Sequence, residues 1–349
     1  MDLQQRTKRF GWYMILLACV LRLTLAGIPQ MLLRQLQDLK TAFPIYSETG
    51  RDVRFLSSFE KAWDHFRESP PPDIPQAQKL RFSGDDADLI QMDYDCALRP
   101  DLGALLEQPL DWSLQGKLPT VLILHTHTTE SYTKAGETYA ETAGFRTLDE
   151  RYNMLCVGEA VAGILEENGI GVIHDRQVHD YPSYNGSYIH ARSSTEELLE
   201  RYPSVELVLD LHRDALEKNG KQIPVTAQKD GEVLAQLMFV VGTDISRQSH
   251  RHWEENLSLA LKLQLLLERQ CPGIMRPVNL REQRFNQDLH PHALLVEVGT
   301  AGNTRAEALA AARQLAVAVV MLQNGTYQEP SAADPRGWRV PAPVEPVHE

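Results

Sequence analysis

Cysteine is scarce in this chain: four in 349 residues, Cys19, Cys96, Cys156 and Cys271. None stands in a CxxC pair or any other metal-ligand spacing, which excludes a cysteine-built metal or dithiol motif. Unpaired, buried thiols are the plain reading, since free Cys is among the most buried residue types; a Cys96–Cys271 bridge outside the cell stays open. Runs of Lys and Arg are missing beyond the extreme N-terminus, and the net charge is -12 with a pI near 5.5. A nucleic-acid binder would show a basic patch, so that class is set aside. No internal repeat is present. The remaining length and apolar content suffice for one large domain or two smaller ones.

A long apolar run is present near the start. Arg6, Lys8 and Arg9 precede a segment from about Phe10 to Leu33, and a spanning helix needs roughly 20 apolar residues. The basic bias places the N-terminus inside and the bulk of the chain outside. Arg22 opposes this, at about 2.5 to 3.5 kcal/mol on insertion scales. The expectation is an uncleaved single-pass anchor over residues 1–33. A signal peptide cut near Ala26-Gly27 and an interfacial helix are the other readings. Residues 34–116 read as an extracytoplasmic connecting region, with a short amphipathic helix over Phe55 to Phe66. Ser69-Pro70-Pro71-Pro72-Asp73-Ile74-Pro75 then forms a semi-rigid spacer. Residues 326–349, rich in proline and poor in apolar side chains, read as a disordered tail.

From Lys117 the pattern alternates as α/β proteins do. Val121 to Leu124 is a short, wholly apolar strand. Thr133 to Leu148 reads as a long loop and Glu150 to Asn168 as a helix closed by Gly169. Gly171 to His174 is a strand, Tyr181 to Tyr188 a loop, and Ser194 to Tyr202 a helix capped by Ser194 or Thr195. Val205 to Leu211 and Leu237 to Val241 are strands, and Trp253 to Arg269 is a long helix. Ala293 to Val298 is the last strand and Ala306 to Leu322 an alanine-rich closing helix. The expected fold is a single α/β domain over 117–325, a mostly parallel sheet with helices on both faces.

Three apolar strands end in chemistry-bearing residues. The first runs into His125-Thr126-His127-Thr128-Thr129-Glu130. The third runs into Asp210-Leu211-His212-Arg213-Asp214, and the last contains Glu297. A carboxylate inside Leu-Leu-Val-Glu-Val-Gly is costly unless paired or near a metal. Ligands gather beyond the carboxyl ends of strands in open α/β sheets. Together these residues match a catalytic zinc site with three His or Glu ligands, an open position and a separate carboxylate base. Glu297 is the candidate general base. Arg213, or a backbone amide, would steady a developing oxyanion, and Asp214 would orient a ligand His. Tyr184, Asn185 and Tyr188, with Tyr181, would line a ligand groove, since they supply flat apolar contact with polar handles. His174, His179 and His190 read as hydrogen-bonded or solvated. His290 and His292 precede the Glu297 strand at the wrong end and are left out.

His125-Thr-His-Thr-Thr-Glu-Ser-Tyr132, Tyr181-Pro-Ser-Tyr-Asn-Gly-Ser-Tyr188, Asp210-Leu-His-Arg-Asp-Ala215 and Glu297-Val-Gly-Thr300 resemble the stage II sporulation protein P family from about Lys117 to Gly325. That family is similar in layout to zinc-dependent N-acetylmuramoyl-L-alanine amidases. The resemblance implies a membrane-anchored, extracytoplasmic peptidoglycan hydrolase acting in sporulation engulfment on the muramoyl–L-alanine amide, and on peptide cross-links as a further option. It also implies work beside stage II sporulation proteins D and M. Carried onto this chain, it points to zinc held by His125, Glu130 and His212. His125 is preferred to His127 because it follows the strand directly. Glu130 lies within the family signature; Glu150, opening the first helix, is the alternative. A non-catalytic glycan-binding scaffold that recruits a partner hydrolase is the rival from another class, and a zinc deacetylase or carboxypeptidase is a third reading.

Overall fold

Four strands of one sheet run in the same direction and end on the same rim, and that rim carries the residues singled out above. The computed structural model describes residues 78–245 and 249–327. The anchor, the Phe55 to Phe66 helix, the proline-rich spacer and the 326–349 tail, beyond the backbone of its first two residues, lie outside them. The central sheet has seven strands: β1 (Met92–Asp95), β2 (Val121–Leu124), β3 (Val172–His174), β4 (Leu207–Asp214), β5 (Leu237–Gly242), β6 (Val278–Arg281) and β7 (Ala293–Thr300). Their spatial order is β1-β6-β5-β7-β4-β2-β3. Five of the six neighbour pairs are parallel; β5 with β7 is antiparallel. The expected mostly parallel α/β sheet is what the chain forms.

Side-chain alternation in strands sorts the sheet into two faces. Val121, Ile123, Leu207, Leu209, Leu211, Val296 and Val298 face a large apolar core with α1 (Leu102–Glu107), α2 (Met154–Glu167), α4 (Trp253–Gln270) and α5 (Arg305–Asn324). Leu122, Leu124, Val208 and Ala293 face a smaller one with α3 (Ser187–Arg201). Strands covered on both sides are apolar throughout rather than alternating, and all four residues of β2 are buried. The ends of α2 and α5 follow from local chemistry. Asn153 caps α2 by accepting from the Leu155 amide, and Gly169 leaves it at φ +77°. Thr304 and Glu307 cap α5 reciprocally, and left-handed Gly325 closes it. By length and composition α5 could cross a membrane, yet 72% of its apolar window is buried in this domain; it is a core helix.

Four expectations change. Residues 92–107, placed by sequence in the connecting region, belong to the domain: β1 pairs with β6 and Ser258 Oγ of α4 donates to Leu105 O of α1. The helix α3 begins at Ser187, not Ser194; Ser194 and Thr195 are buried inside it, their hydroxyls donating to Asp175 Oδ2 and Ala191 O. Asn153, not the region of Glu150, starts α2. Cys96 and Cys271 are free thiols.

Candidate active site

The chain leaves β2 in a tight, buried turn. Period-two alternation carries His125 to the α2 face, following Val121 and Ile123. There its ring lies against Gly158, where an added Cβ would come within 2.6 Å of His125 Nε2 and 2.4 Å of His174 Nε2. His125 Nδ1 is 3.1 Å from Leu211 O, so it must donate, because a carbonyl only accepts. Its Nε2 is then the acceptor facing His174 Nε2 at 2.9 Å. Both ring nitrogens of His125 are in use. Burial, with His174 beside it, pushes its pKa down to about 3.

His127 lies elsewhere. Its ring stacks on Tyr184 at 4.4 Å between centroids and meets Tyr188 at 5.6 Å and His212 at 5.2 Å edge-on. Arg146 covers the Tyr184 ring at 4.1 Å. His127 Nδ1 is buried without a hydrogen-bond partner. Burial, with His212 next, lowers this pKa also to about 3.

His212 comes from β4, on the α3 face with Asp210. Asp210 accepts from the Thr126 amide at 2.8 Å and its hydroxyl at 2.6 Å, tying the turn after β2 to β4. Its Oδ1 lies 2.9 Å from His212 Nε2, an ion pair that ties that ring nitrogen to Asp210. Burial alone would lower the His212 pKa. Asp210, Glu297 and Glu130 around it prevail and raise it to about 9. Burial raises Asp210, but His212 and Thr126 bring it down to about 2.

Glu130 is buried, its Oε2 3.8 Å from His212 Nδ1. It accepts from the Arg213 amide and from Arg213 Nη1, each at 3.3 Å. The rest of the Arg213 guanidinium donates to Ser131 O at 3.1 Å and Phe145 O at 3.0 Å. Glu297 stands opposite His212 in the β7–β4 register. The residue is partly exposed, yet its Oε2 is enclosed and unpartnered. Burial pushes its carboxyl up to about 8; His212 pulls it back and Glu130 adds to the rise. Just beyond it the β7 register shifts, with Gly299 at φ +69°. Tyr132 Oη donates to Val298 O at 2.9 Å, fastening the turn after β2 to this strand.

The rim thus brings together His127, Glu130, His212, Glu297, Tyr184 and Tyr188, with Arg213 and Asp210 behind them and Asn185 exposed in the turn Tyr184–Gly186. It does not bring in Glu150, which pairs with Arg176 at the surface. Asp214, expected to orient a His, instead takes Arg276 Nη1 at 2.7 Å. The carboxylate beside His212 is that of Asp210. Sequence reasoning passed over Asp210 and Thr126, although residues two apart on a strand share a face, and that spacing alone puts Asp210 with His212. His174, His179 and His190 are each hydrogen-bonded, to His125, Asp175 and His179 O.

The donor set suits a zinc ion: two imidazoles and two carboxylates at the end of buried strands. Among the described residues, no three His, Cys, Asp or Glu side chains stand at ready-made metal-shell spacing. The unpartnered buried atoms are what fit a cation, since buried polar groups are normally satisfied. His127 Nδ1 and Glu297 Oε2 both lie in this cluster.

Several known proteins resemble the chain. The stage II sporulation protein P of Bacillus subtilis (strain 168) is 30% identical over 214 residues, which cover 58% of this chain and 50% of that protein; the chain thus spans about half the length of that curated relative. Two solved structures share the outline loosely. The N-acetylmuramoyl-L-alanine amidase AmiC2 of Nostoc punctiforme is 17% identical, covers 60% of this chain and 96% of its own, and has a TM-score of 0.35. The CwlD amidase from Clostridioides difficile, solved in complex with the GerS lipoprotein, is 12% identical, covers 59% and 98%, and scores 0.37. Likeness at that level carries no argument about activity. The sequence profile described as Stage II sporulation protein P (SpoIIP) matches residues 61–320, a stretch that holds every residue of the rim, and by that match the chain belongs to the stage II sporulation protein P family.

Proposed function

We propose that the chain is a zinc-dependent peptidoglycan hydrolase of sporulation that cleaves the amide between muramic acid and L-alanine. The observation that carries this is the meeting of two buried, unpartnered polar atoms, His127 Nδ1 and Glu297 Oε2, with His212 and Glu130 beside them, from three separate segments at one rim. His127, Glu130 and His212 would hold the ion. His127 replaces His125 in this role because His125 uses both ring nitrogens on the α2 side of the sheet. Glu130 is preferred to Glu150 because it borders His212 while Glu150 sits at the surface. When bound, zinc supplies Lewis-acid polarisation of the water and the scissile carbonyl.

The chain's own residues do the rest. Glu297, opposite His212 with an enclosed, unpartnered Oε2, takes a proton from the attacking water and returns it to the leaving amine. Arg213 has its guanidinium engaged by Glu130, Ser131 and Phe145, so its part is to fix Glu130 rather than to meet the oxyanion. Asp210 orients His212. Tyr184 and Asn185 would flank the sugar next to the scissile bond, where flat amphipathic surfaces suit glycans, with Tyr188 at the boundary between sugar and peptide. Membrane anchoring through residues 1–33, action on cross-links, and work beside sporulation proteins D and M enter the proposal through the family resemblance alone.

The test is zinc content together with release of stem peptides from peptidoglycan. Glu297→Gln is expected to keep its zinc and lose about 10²- to 10⁴-fold in rate, the usual weight of a general base; full activity would sink that role. His127→Ala and Glu130→Ala are expected to lose zinc, and Glu150→Ala and wild type to keep it. Wild type free of metal, and indifferent to chelators, would end the zinc reading.

A further inference from the structure

A groove of about 360 Å³ opens beside the rim, lined by Tyr188, Ile189, Arg192, Gln283, Arg284 and Phe285, with Asn286 at its edge. We infer that this groove binds the carboxylate-bearing stem peptide of the substrate, with Arg284 as its anion contact; the inference rests on the hydrolase reading above.

Continuity with the site comes first. Tyr188 is a shared wall: one side of its ring approaches His127 and His212, at 5.6 and 6.5 Å between centroids, and it also lines the groove. A muramoyl peptide laid across the rim has its sugar on one side of the scissile amide and its peptide on the other. Tyr188 joins the groove to the rim, and in the inferred pose the peptide lies on this side.

Charge comes second. The chain carries a net charge of -12, yet both charged side chains lining the groove are arginines. Arg192 is held from behind by Glu196 at 2.9 Å and Asp288 at 3.0 Å. Arg284 makes one long contact, Nη1 to Asp288 Oδ2 at 3.3 Å. A guanidinium has five donors in a planar fork that matches a carboxylate bidentately, so Arg284 keeps donors for a ligand. Exposed Ile189 and half-buried Phe285 supply apolar surface for a peptide's small side chains.

The groove is also built rather than left over. Phe285 and Asn286 take consecutive left-handed conformations, at φ +50° and +60°. A bulky non-glycine residue rarely does so, and such strain persists where surroundings enforce it. The enforcement is visible. Asn286 Nδ2 donates to Tyr188 O at 2.9 Å. Buried Gln287 accepts from the Gly242 amide at 2.8 Å and donates to Val240 O at 2.7 Å. Asn256 Nδ2 donates to Gln287 O at 3.0 Å.

The experiment is equilibrium binding to the full-length chain of a soluble muramoyl peptide with its carboxylates free, and of the same compound with them amidated. Wild type should bind the free acid about tenfold more tightly. Arg284→Gln should lose about tenfold on the free acid and nothing further on the amidated compound. Equal wild-type affinity for both compounds, a comparison that needs no variant to fold, overturns the inference. So do failure to bind either compound and additive losses in Arg284→Gln. Cleavage of the amide is read on the same samples. Discrimination in binding without cleavage supports the groove and defeats the hydrolase reading instead.

Discussion

Lys262 carries its charge into the core of the domain. It lies on α4, nearly fully buried, with Nζ donating to Leu105 O at 3.1 Å and Ser258 Oγ at 2.6 Å and no carboxylate paired with it among the described residues. Burial lowers its pKa from 10.5 to about 8. Below pH 8 both folded and unfolded chains hold the proton, so the cost of burying the cation is fully present. Between about pH 8 and 10.5 the unfolded chain binds more protons, and stability rises with pH. Lys262→Met removes the charge while Ser258 still satisfies Leu105 O. At pH 7 the variant should melt a few degrees above wild type, the shift that about 1 kcal/mol makes in a domain of this size. That advantage should shrink at pH 9.5, and an advantage constant across the range would refute the assignment. The same scale decides what was legible at the rim. Glu297 and His212 stand out in sequence because a charged group inside an apolar strand needs a reason. Adjacency to β2 favours His125 in the sequence, while the proposal for His127 rests on which face each ring takes. Alternation sends the first residue past the strand to the α2 face, and only the fold shows that Glu130, His212 and Glu297 gather on the other side.

Gly158 decides how closely α2 can approach the sheet. Its place in the middle of a helix costs about 1 kcal/mol relative to Ala, so propensity alone makes Gly158→Ala stabilising. The clash reverses this: the new Cβ would fall 2.4 and 2.6 Å from the ring nitrogens of His174 and buried His125. Overpacking of that kind costs about 1–3 kcal/mol. Gly163 on the same helix is exposed with nothing within 4 Å of an added Cβ and serves as the control. Thermal melts should show Gly163→Ala raised and Gly158→Ala lowered; a rise in both would mean that the two histidines yield freely. Elements differed in legibility for physical reasons. Strands β2, β4 and β7 are covered on both faces and read as apolar runs. At the sheet edge, β1 (Met92-Asp93-Tyr94-Asp95) alternates half-buried with exposed residues. Its acidic side chains suit an edge that must not recruit another strand, and they disguise it as a linker. The early start of α3 was hidden by Gly186, Ser187 and Tyr188, which read as loop residues while the helix begins beneath them.

Across the whole molecule, the proposed ion would join segments far apart in the chain: the turn after β2, with His127 and Glu130, and β4, with His212, some 80 residues later. In the unfolded chain these donors are scattered, so zinc should bind the folded state far better and stabilise it by mass action. At a free concentration 100 times the dissociation constant the gain is about 2.7 kcal/mol, or roughly 5–10 °C in melting temperature for a domain of this size. The expected result is a melting temperature that climbs with added zinc and falls with a chelator in wild type. Glu297→Gln should respond likewise, because Glu297 is assigned to proton transfer and not to holding the ion. The response should vanish in His127→Ala and Glu130→Ala even if these variants fold normally without metal. This separates two ways of losing activity that a hydrolysis assay merges, since a variant without zinc and a variant without its base are equally silent on peptidoglycan. A wild-type melting temperature indifferent to zinc would remove the ion from the proposal. Glu297, enclosed at the rim opposite His212, would then need another partner to make water reactive.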